Sequence, residues 1–109
     1  MNHFLPIDRL CEGEHWEAFY HPQPAYPLHI LILPKRLMPA LVEATHEDPN
    51  LYADLFRVVQ KLISGLKLED RGYRLVTNGG PNQSIPIWHW HLICEESGKG
   101  SENPGVAYD

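Results

Sequence analysis

Two histidines one residue apart, His89 and His91, are the residues whose type and spacing most directly indicate chemistry. They lie in residues 83–93, a β-branched and aromatic stretch that is typical of a buried strand. Alternate side chains of a strand point to opposite faces. Both imidazoles are therefore predicted on one face, and Trp88 and Trp90 on the other face, in the core. Residues two apart are separated by about 7 Å along a strand. Both rings can therefore converge on one small ligand.

Two kinds of ligand fit such a pair. A metal ion would need a third protein ligand, for which His21, His29 or Cys94 are the candidates. A phosphoryl group would need one imidazole as nucleophile and the other as a donor to a non-bridging oxygen. The upstream neutral hydrogen-bonding residues favour phosphate and ribose over a hard cation; they are Asn78, Gly79, Gly80, Asn82, Gln83 and Ser84. A solvent-exposed histidine pair with no function, on a turn of ordinary composition, is the remaining alternative.

Size and composition bound the functions that this chain can have. Its 109 residues predict one domain, and 43% hydrophobic with 21% charged residues is typical of a globular protein. The net charge of −5 argues against binding duplex nucleic acid or a membrane surface. The longest apolar runs are too short to cross a bilayer, and residues 1–4 lack a signal pattern, which predicts a cytoplasmic protein. Two cysteines predict free thiols rather than a disulfide framework.

The surrounding patterns predict elements that would position the histidines. Strands are predicted at residues 16–20, 28–33 and 73–77, and a stiff proline-rich loop at residues 21–27. The clearest helix begins at Asp48 and Pro49 and ends near residues 65–68, with one apolar stripe. A short helix is predicted from Pro39 to about Thr45, and a helical turn at residues 8–11.

Strands, helices and strands in this order predict an α+β domain with the long helix on one face of an antiparallel sheet. His29, His89 and His91 would then meet on the opposite, accessible face. Residues 1–94 are predicted to form the folded domain and residues 95–109 a flexible tail, because the tail has no hydrophobic periodicity.

The order of motifs resembles the histidine triad (HIT) superfamily. Residues 83–93 are similar to its His-φ-His-φ-His-φ-φ signature, which follows a Gln-Ser/Thr pair. Residues 27–35 resemble its Pro-Thr-His-x-Leu-Val-Ile-Pro-Lys strand, and residues 72–80 its Gly-Tyr-Arg-φ-Val-x-Asn-x-Gly strand. The similarity covers residues 16–93 and keeps the motifs in order.

The resemblance implies a fold and an activity. The fold would be an antiparallel five-stranded sheet with one long and one short helix, ten-stranded across a homodimer. The activity would be hydrolysis or transfer of nucleoside monophosphate groups from nucleoside phosphoramidates, dinucleoside polyphosphates or nucleotide-sugars, through a nucleotidyl-histidine. No cofactor or metal is required, although Mg²⁺ would help a polyphosphate leave.

The resemblance also implies roles for individual residues. His89 matches the nucleophile, and His91 matches the histidine that contacts the phosphate. Gln83 and Ser84 match positions near the leaving group. Substrate-binding positions are matched by Asn78 near ribose and phosphate and by His29, which supports the site.

Several departures from the family pattern mark a divergent member, and two of them lie at predicted site positions. Ile87 stands where the first histidine of the triad orients the nucleophile, in part through its backbone carbonyl, which an isoleucine keeps. His21 stands where many members have an aspartate that binds the ribose hydroxyls. Three hypotheses follow: a nucleotidyl hydrolase or transferase, a nucleotide-binding module with weakened catalysis, and a His-x-His metal protein.

Overall fold

A five-stranded antiparallel sheet is the frame of the protein. The computed structural model describes residues 9–96. The strands run in the spatial order β1-β2-β3-β5-β4. Their bounds are β1 Arg9–Glu12, β2 Trp16–Tyr20, β3 Leu28–Pro34, β4 Arg74–Thr77 and β5 Trp90–Cys94. The predicted α+β fold and the antiparallel pairing of the last two strands are confirmed.

The long helix α1 spans Pro49–Gly65 and covers one face of the sheet. Its apolar stripe is buried as predicted, against Trp16, Ile30 and Leu92 from three strands. Asp48 occupies the N-cap position but makes no side-chain cap bond, and its carboxylate instead lies 3.3 Å from Arg36 Nη2. Within residues 9–96 no helix is both long and apolar enough to cross a bilayer.

Three local predictions were wrong. Residues 9–12 form β1 rather than a helical turn, because they pair with β2 and Arg9 reaches Glu17 at 3.1 Å across the two strands. The short helix predicted at residues 39–45 is only the 3₁₀ turn Leu41–Glu43. The sequence predicts a turn at residues 69–72, after the long helix. Instead a second helix, α2 at Leu68–Arg71, forms there and ends at Gly72, whose φ of 88° reverses the chain into β4.

The last strand is shorter than the sequence predicts. A 3₁₀ turn at Gly80–Asn82 and a bent loop precede it, and pairing begins only at Trp90. Pro86 has no N–H to give to a ladder, and the Trp88 N–H donates to the Met38 carbonyl at 2.7 Å instead of to a neighbouring strand. His89 therefore lies just before β5 and not within it.

The register between β3 and β5 brings histidines from distant parts of the chain together. Leu31 pairs with His91 and His29 pairs with Ile93, so the two imidazoles share a face. The alternating residues Ile30 and Leu92 point to the α1 face. The predicted meeting of the histidines opposite the long helix is confirmed.

The proposed boundary at residue 94 lies close to the end of the described chain. Arg74 forms an ion pair with Glu95, and the backbone carbonyl of Glu96 accepts from Arg71 at 3.5 Å. Most of the predicted tail, residues 97–109, lies outside the described residues.

Candidate active site

Four imidazoles form one cluster on the sheet face opposite α1. The ring of His91 is at the centre, with centroid distances of 4.9 Å to His89, 5.1 Å to His29 and 6.0 Å to His21. His21 stacks on His29 at 4.3 Å with 28° between the planes. Within residues 9–96 no carboxylate is paired with any of these rings. The cluster therefore resists protonation of several rings together, because their positive charges would repel one another.

His89 is held with a free lone pair on Nε2. Its Nδ1 lies 2.7 Å from the carbonyl oxygen of Ile87, and since a carbonyl can only accept, Nδ1 must carry the proton. In a neutral ring Nε2 is then the unprotonated, nucleophilic nitrogen. The residue is only 5% exposed, which fixes the ring. The Ile87 carbonyl, in place of a side chain, thus orients His89.

His91 is held in the opposite tautomer. The Ala25 backbone N–H donates to His29 Nδ1 at 3.0 Å, so a neutral His29 carries its proton on Nε2. That Nε2 lies 2.9 Å from His91 Nδ1, which therefore accepts. His91 keeps its own proton on Nε2, for which residues 9–96 offer no acceptor. One cluster thus presents a lone pair on His89 and a donor on His91.

His21 is also fixed as a donor. Its Nδ1 accepts the Gln23 backbone N–H at 3.0 Å, which leaves the proton of the neutral ring on Nε2. His21 is half-buried and is the first residue of the proline-rich loop. Its backbone N–H donates to the His29 carbonyl at 2.8 Å. His21 therefore offers an N–H beside the His29–His91 pair, not an acceptor.

Burial and mutual repulsion favour the neutral forms of His91, His29 and His21. Burial, followed by the fields of His89, His29 and His21, lowers the pKa of His91 from 6.5 to about 4. Burial also lowers the pKa of His29, with His21 as the second cause, and the pKa of His21, with His89 as the second cause. The tautomers assigned above apply to neutral rings, because a protonated imidazole carries a proton on both nitrogens.

Three of the rings have the spacing of a metal site. His21, His29 and His91 each offer a ligand atom, and these atoms lie within 4.8 Å of one another. A metal on Nε2 of His21 or His29 would require the proton to move to Nδ1, where a backbone N–H already donates. The donor set fits a cation only if these hydrogen bonds break. Cys94, a candidate third ligand in the sequence, is buried in the core on the other face of β5.

The remaining predicted site residues lie in the segment that connects β4 to His89. Gln83 donates its side-chain N–H groups to the carbonyls of Pro39 and Ile85 at 2.7 and 2.9 Å, so this amide braces the loop. Ser84 is exposed, and Asn78 is half-buried directly after β4. Within the described residues neither has a side-chain hydrogen bond, and none of the three is hydrogen-bonded to an imidazole.

The sequence did not indicate two main-chain contacts that shape the site. Thr77 Oγ1 donates to the backbone carbonyl of His89 at 2.6 Å and anchors the residue that precedes β5. The Ala25 amide sets the tautomer of His29, although Ala25 has no functional side chain. A threonine in a strand and an alanine in a loop carry no chemical signal. Only the alternation of prolines in residues 22–27 could have indicated that few amides are available there.

A large cavity lies elsewhere, beside α1. It has a volume of about 580 Å³, and Tyr52, Phe56, Trp88 and Trp90 are among its mostly apolar lining residues. The indole N–H groups of both tryptophans are buried without an acceptor in the described chain. The cavity contains no residue of the imidazole cluster, so it is not the reaction site.

Comparison with known proteins agrees with this fold. Residues 5–98 match the HIT domain family. An uncharacterised HIT-like protein of Synechocystis is 35% identical over 88 residues, which cover 81% of this chain and 76% of that protein. The crystal structure of a HIT family hydrolase from Legionella pneumophila superposes with a TM-score of 0.77 at 28% identity, covering 94% of this chain and 91% of that one. A histidine triad nucleotide-binding protein from Candida albicans gives 0.74 at 29% identity, with coverage of 96% and 79%. With a five-stranded sheet and a family match over residues 5–98, the chain belongs to the HIT family.

Proposed function

We propose that this protein is a nucleotide-binding hydrolase or transferase that acts on nucleoside phosphoramidates or dinucleoside polyphosphates through a nucleotidyl-His89 intermediate. The observation that carries the proposal is the opposite tautomers of two neighbouring rings. His89 Nε2 has a lone pair to attack phosphorus, and His91 Nε2–H can donate to the oxygen on which charge develops. The names of two structural neighbours, a hydrolase and a nucleotide-binding protein, support the same class.

The reaction has two steps. In the first, the lone pair of His89 Nε2 forms an N–P bond to the α-phosphorus, and the bond to the leaving group breaks with its electron pair. A phosphate leaves as its anion, whereas an amine takes up a proton from solvent water as it leaves. In the second step water, or another acceptor hydroxyl, attacks the same phosphorus and loses its proton to solvent, and the N–P bond returns its pair to His89.

Neutral groups around the phosphate would stabilise the transferring phosphoryl group. The ring of His91 lies 4.9 Å from that of His89 and carries its proton on Nε2, where it can donate to a phosphoryl oxygen. As the resemblance implies, Ser84 and Gln83 would lie near the leaving group and Asn78 near the nucleotide, all on the loop after β4. No step requires a resident metal, although Mg²⁺ would neutralise part of a polyphosphate leaving group.

The test is turnover of an adenosine phosphoramidate and of a diadenosine polyphosphate by the wild type and by His89→Ala. Loss of the nucleophile should lower kcat by at least about a thousandfold. His46→Ala is the matched control, because His46 is an exposed histidine that lies outside the cluster. A mass increase of one nucleoside monophosphate on the wild type at short reaction times, absent in His89→Ala, would identify the intermediate. Turnover by His89→Ala at the wild-type rate excludes the mechanism.

The alternative of a binding module is distinguished by the same proteins. AMP affinity in calorimetry without turnover by the wild type would select it, and the cause would lie in the Ile87 position. Stoichiometric metal in protein purified without chelators would instead favour the His21, His29 and His91 metal site.

We also propose that two copies associate, as the resemblance implies. An association would bury the apolar cavity beside α1, which the exposed Phe56 helps to line. The strand β4 lies at one edge of the sheet and offers a second surface for pairing. Sedimentation velocity measures the mass directly. A monomer at micromolar concentration would refute this proposal and would leave the reaction mechanism untouched.

A further inference from the structure

The proline-rich loop before β3 delivers two backbone N–H groups to the imidazole cluster. Pro22, Pro24 and Pro27 have no N–H, so the only donors between residues 22 and 25 are the amides of Gln23 and Ala25. Each of these amides donates to the Nδ1 of a histidine, the first to His21 and the second to His29, both at 3.0 Å. The loop is also closed by the hydrogen bond between the His21 N–H and the His29 carbonyl at 2.8 Å.

We propose that the Ala25 amide is a positioning group that fixes the proton of His91 through His29. An amide N–H can only donate, so it requires a lone pair on His29 Nδ1 and places the ring proton on Nε2. That proton then bonds to His91 Nδ1 at 2.9 Å and keeps the proton of His91 on Nε2. The hydrogen bonds run in one direction, from the Ala25 amide to His29 and from His29 to His91. The last group of this chain is the Nε2–H of His91, which is a donor. The functional meaning of this donor rests on the proposed function.

The geometry explains why the direction needs an external anchor. Two neutral imidazoles that share one hydrogen bond can exchange roles, since each ring has one donor and one acceptor nitrogen. In the reversed arrangement His91 Nδ1–H would donate to His29, and His91 Nε2 would become a lone pair beside the lone pair of His89. Such a site would present two acceptors and no donor to a phosphoryl oxygen.

Burial makes the anchor effective. His29 is 7% exposed and its ring is stacked between neighbours, with His21 on one side and the edge of Tyr26 at 5.3 Å. Although Ala25 itself is exposed, the His29 ring leaves little surface through which water could replace the amide as a partner of Nδ1. Loss of this donor would leave a buried acceptor without a partner, which favours the reversed pair.

The experiment replaces the residue at position 25 with L-lactic acid, which exchanges the amide N–H for an ester oxygen and keeps the methyl side chain. The matched control places the α-hydroxy analogue of tyrosine at position 26, because the Tyr26 amide has no hydrogen-bond partner among residues 9–96. Two-bond ¹H–¹⁵N spectra of ¹⁵N-histidine-labelled protein at pH 7.5 then report which nitrogen of His29 and His91 carries the proton. Ala25→Pro is a second variant without the N–H, and it is read in the same way.

The expected result is that wild type and control show Nε2–H for both rings. The ester at position 25 should lower the Nε2–H to Nδ1–H ratio of both rings together by about tenfold, since one hydrogen bond is lost and two acceptors face each other. The proposal is overturned if the position-25 ester matches the control, or if wild-type His91 carries its proton on Nδ1. No substrate is needed, so an inactive wild type would count against the proposed function alone. If the wild type turns over, kcat of the position-25 ester should fall below that of the control.

Discussion

Acidification should destabilise this protein in a pH window that is set by the imidazole cluster. The pKa of His91 falls from 6.5 to about 4 on folding, and the pKa values of His29 and His21 fall in the same direction. Between these limits the unfolded chain binds more protons than the folded protein, so the free energy of unfolding decreases as pH falls. The free energy of unfolding is unaffected by protonation of His91 above pH 6.5 and decreases as pH falls from 6.5 toward 4. Below pH 4 His91 lowers it no further.

The magnitude follows from the same shift. A difference of about 2.5 pH units corresponds to a ceiling of about 3.4 kcal/mol for His91 alone. His91 is half-buried, so solvent screening reduces its contribution to about 1–2 kcal/mol. With a urea m-value of about 1 kcal/mol per molar, the midpoint should move down by about 1–2 M between pH 7 and pH 4.

Urea unfolding at half-unit pH intervals, followed by tryptophan fluorescence, measures this loss. His91→Asn should flatten the curve between pH 6.5 and 4, because its side-chain oxygen can still accept from His29 but cannot be protonated in this range. His46→Asn removes an exposed histidine outside the cluster and should keep the wild-type slope. If His91→Asn keeps that slope as well, repulsion and burial within the cluster are not its cause. The buried Asp54, whose pKa is also lowered, acts in a separate window below its ordinary value of 3.8.

Three further predictions concern single residues. Asp54 is 3% exposed and accepts the Glu14 and His15 backbone N–H groups at 3.1 and 2.7 Å. Asp54→Asn should therefore lower the free energy of unfolding in urea by about 2 kcal/mol. Asp48→Asn, at a partly exposed ion pair, should lower it by less than about 1 kcal/mol. Equal costs would contradict this. Thr77→Val should lower kcat and Thr77→Ser should restore it, because only the hydroxyl anchors the His89 carbonyl; equal rates for the two variants would exclude the anchor. His21→Asp should raise the preference for AMP over 2′-deoxy-AMP at least about fivefold in calorimetry, because the wild-type ring is fixed as a donor and cannot accept from a ribose hydroxyl; an unchanged ratio would place the ribose elsewhere.

The face that carries the histidines was predictable, because the two-residue period of a strand is strict. His29 and His91 needed only their own strands and an antiparallel pairing to meet. The start of the last strand was not predictable, since a hydrogen bond from Trp88 to Met38, 50 residues earlier, holds the chain out of the sheet. The β1 strand was missed for a related reason: its pattern is weak, and pairing with β2 determines its structure.

Proton positions were beyond the reach of the sequence, because main-chain groups set them. The Ile87 carbonyl directs the proton of His89, and the Ala25 amide directs the proton of His29. Neither contact depends on the side chain of the residue that makes it. Relative to the family pattern that the sequence resembles, Ile87 therefore lacks an imidazole and keeps the carbonyl that orients His89, the nucleophile we propose. Backbone groups thus fix the ring proton on Nδ1 in His89 and on Nε2 in His91, so the same residue type supplies a lone pair in one ring and a donor in the other. An isoleucine at position 87 is therefore compatible with the proposed activity.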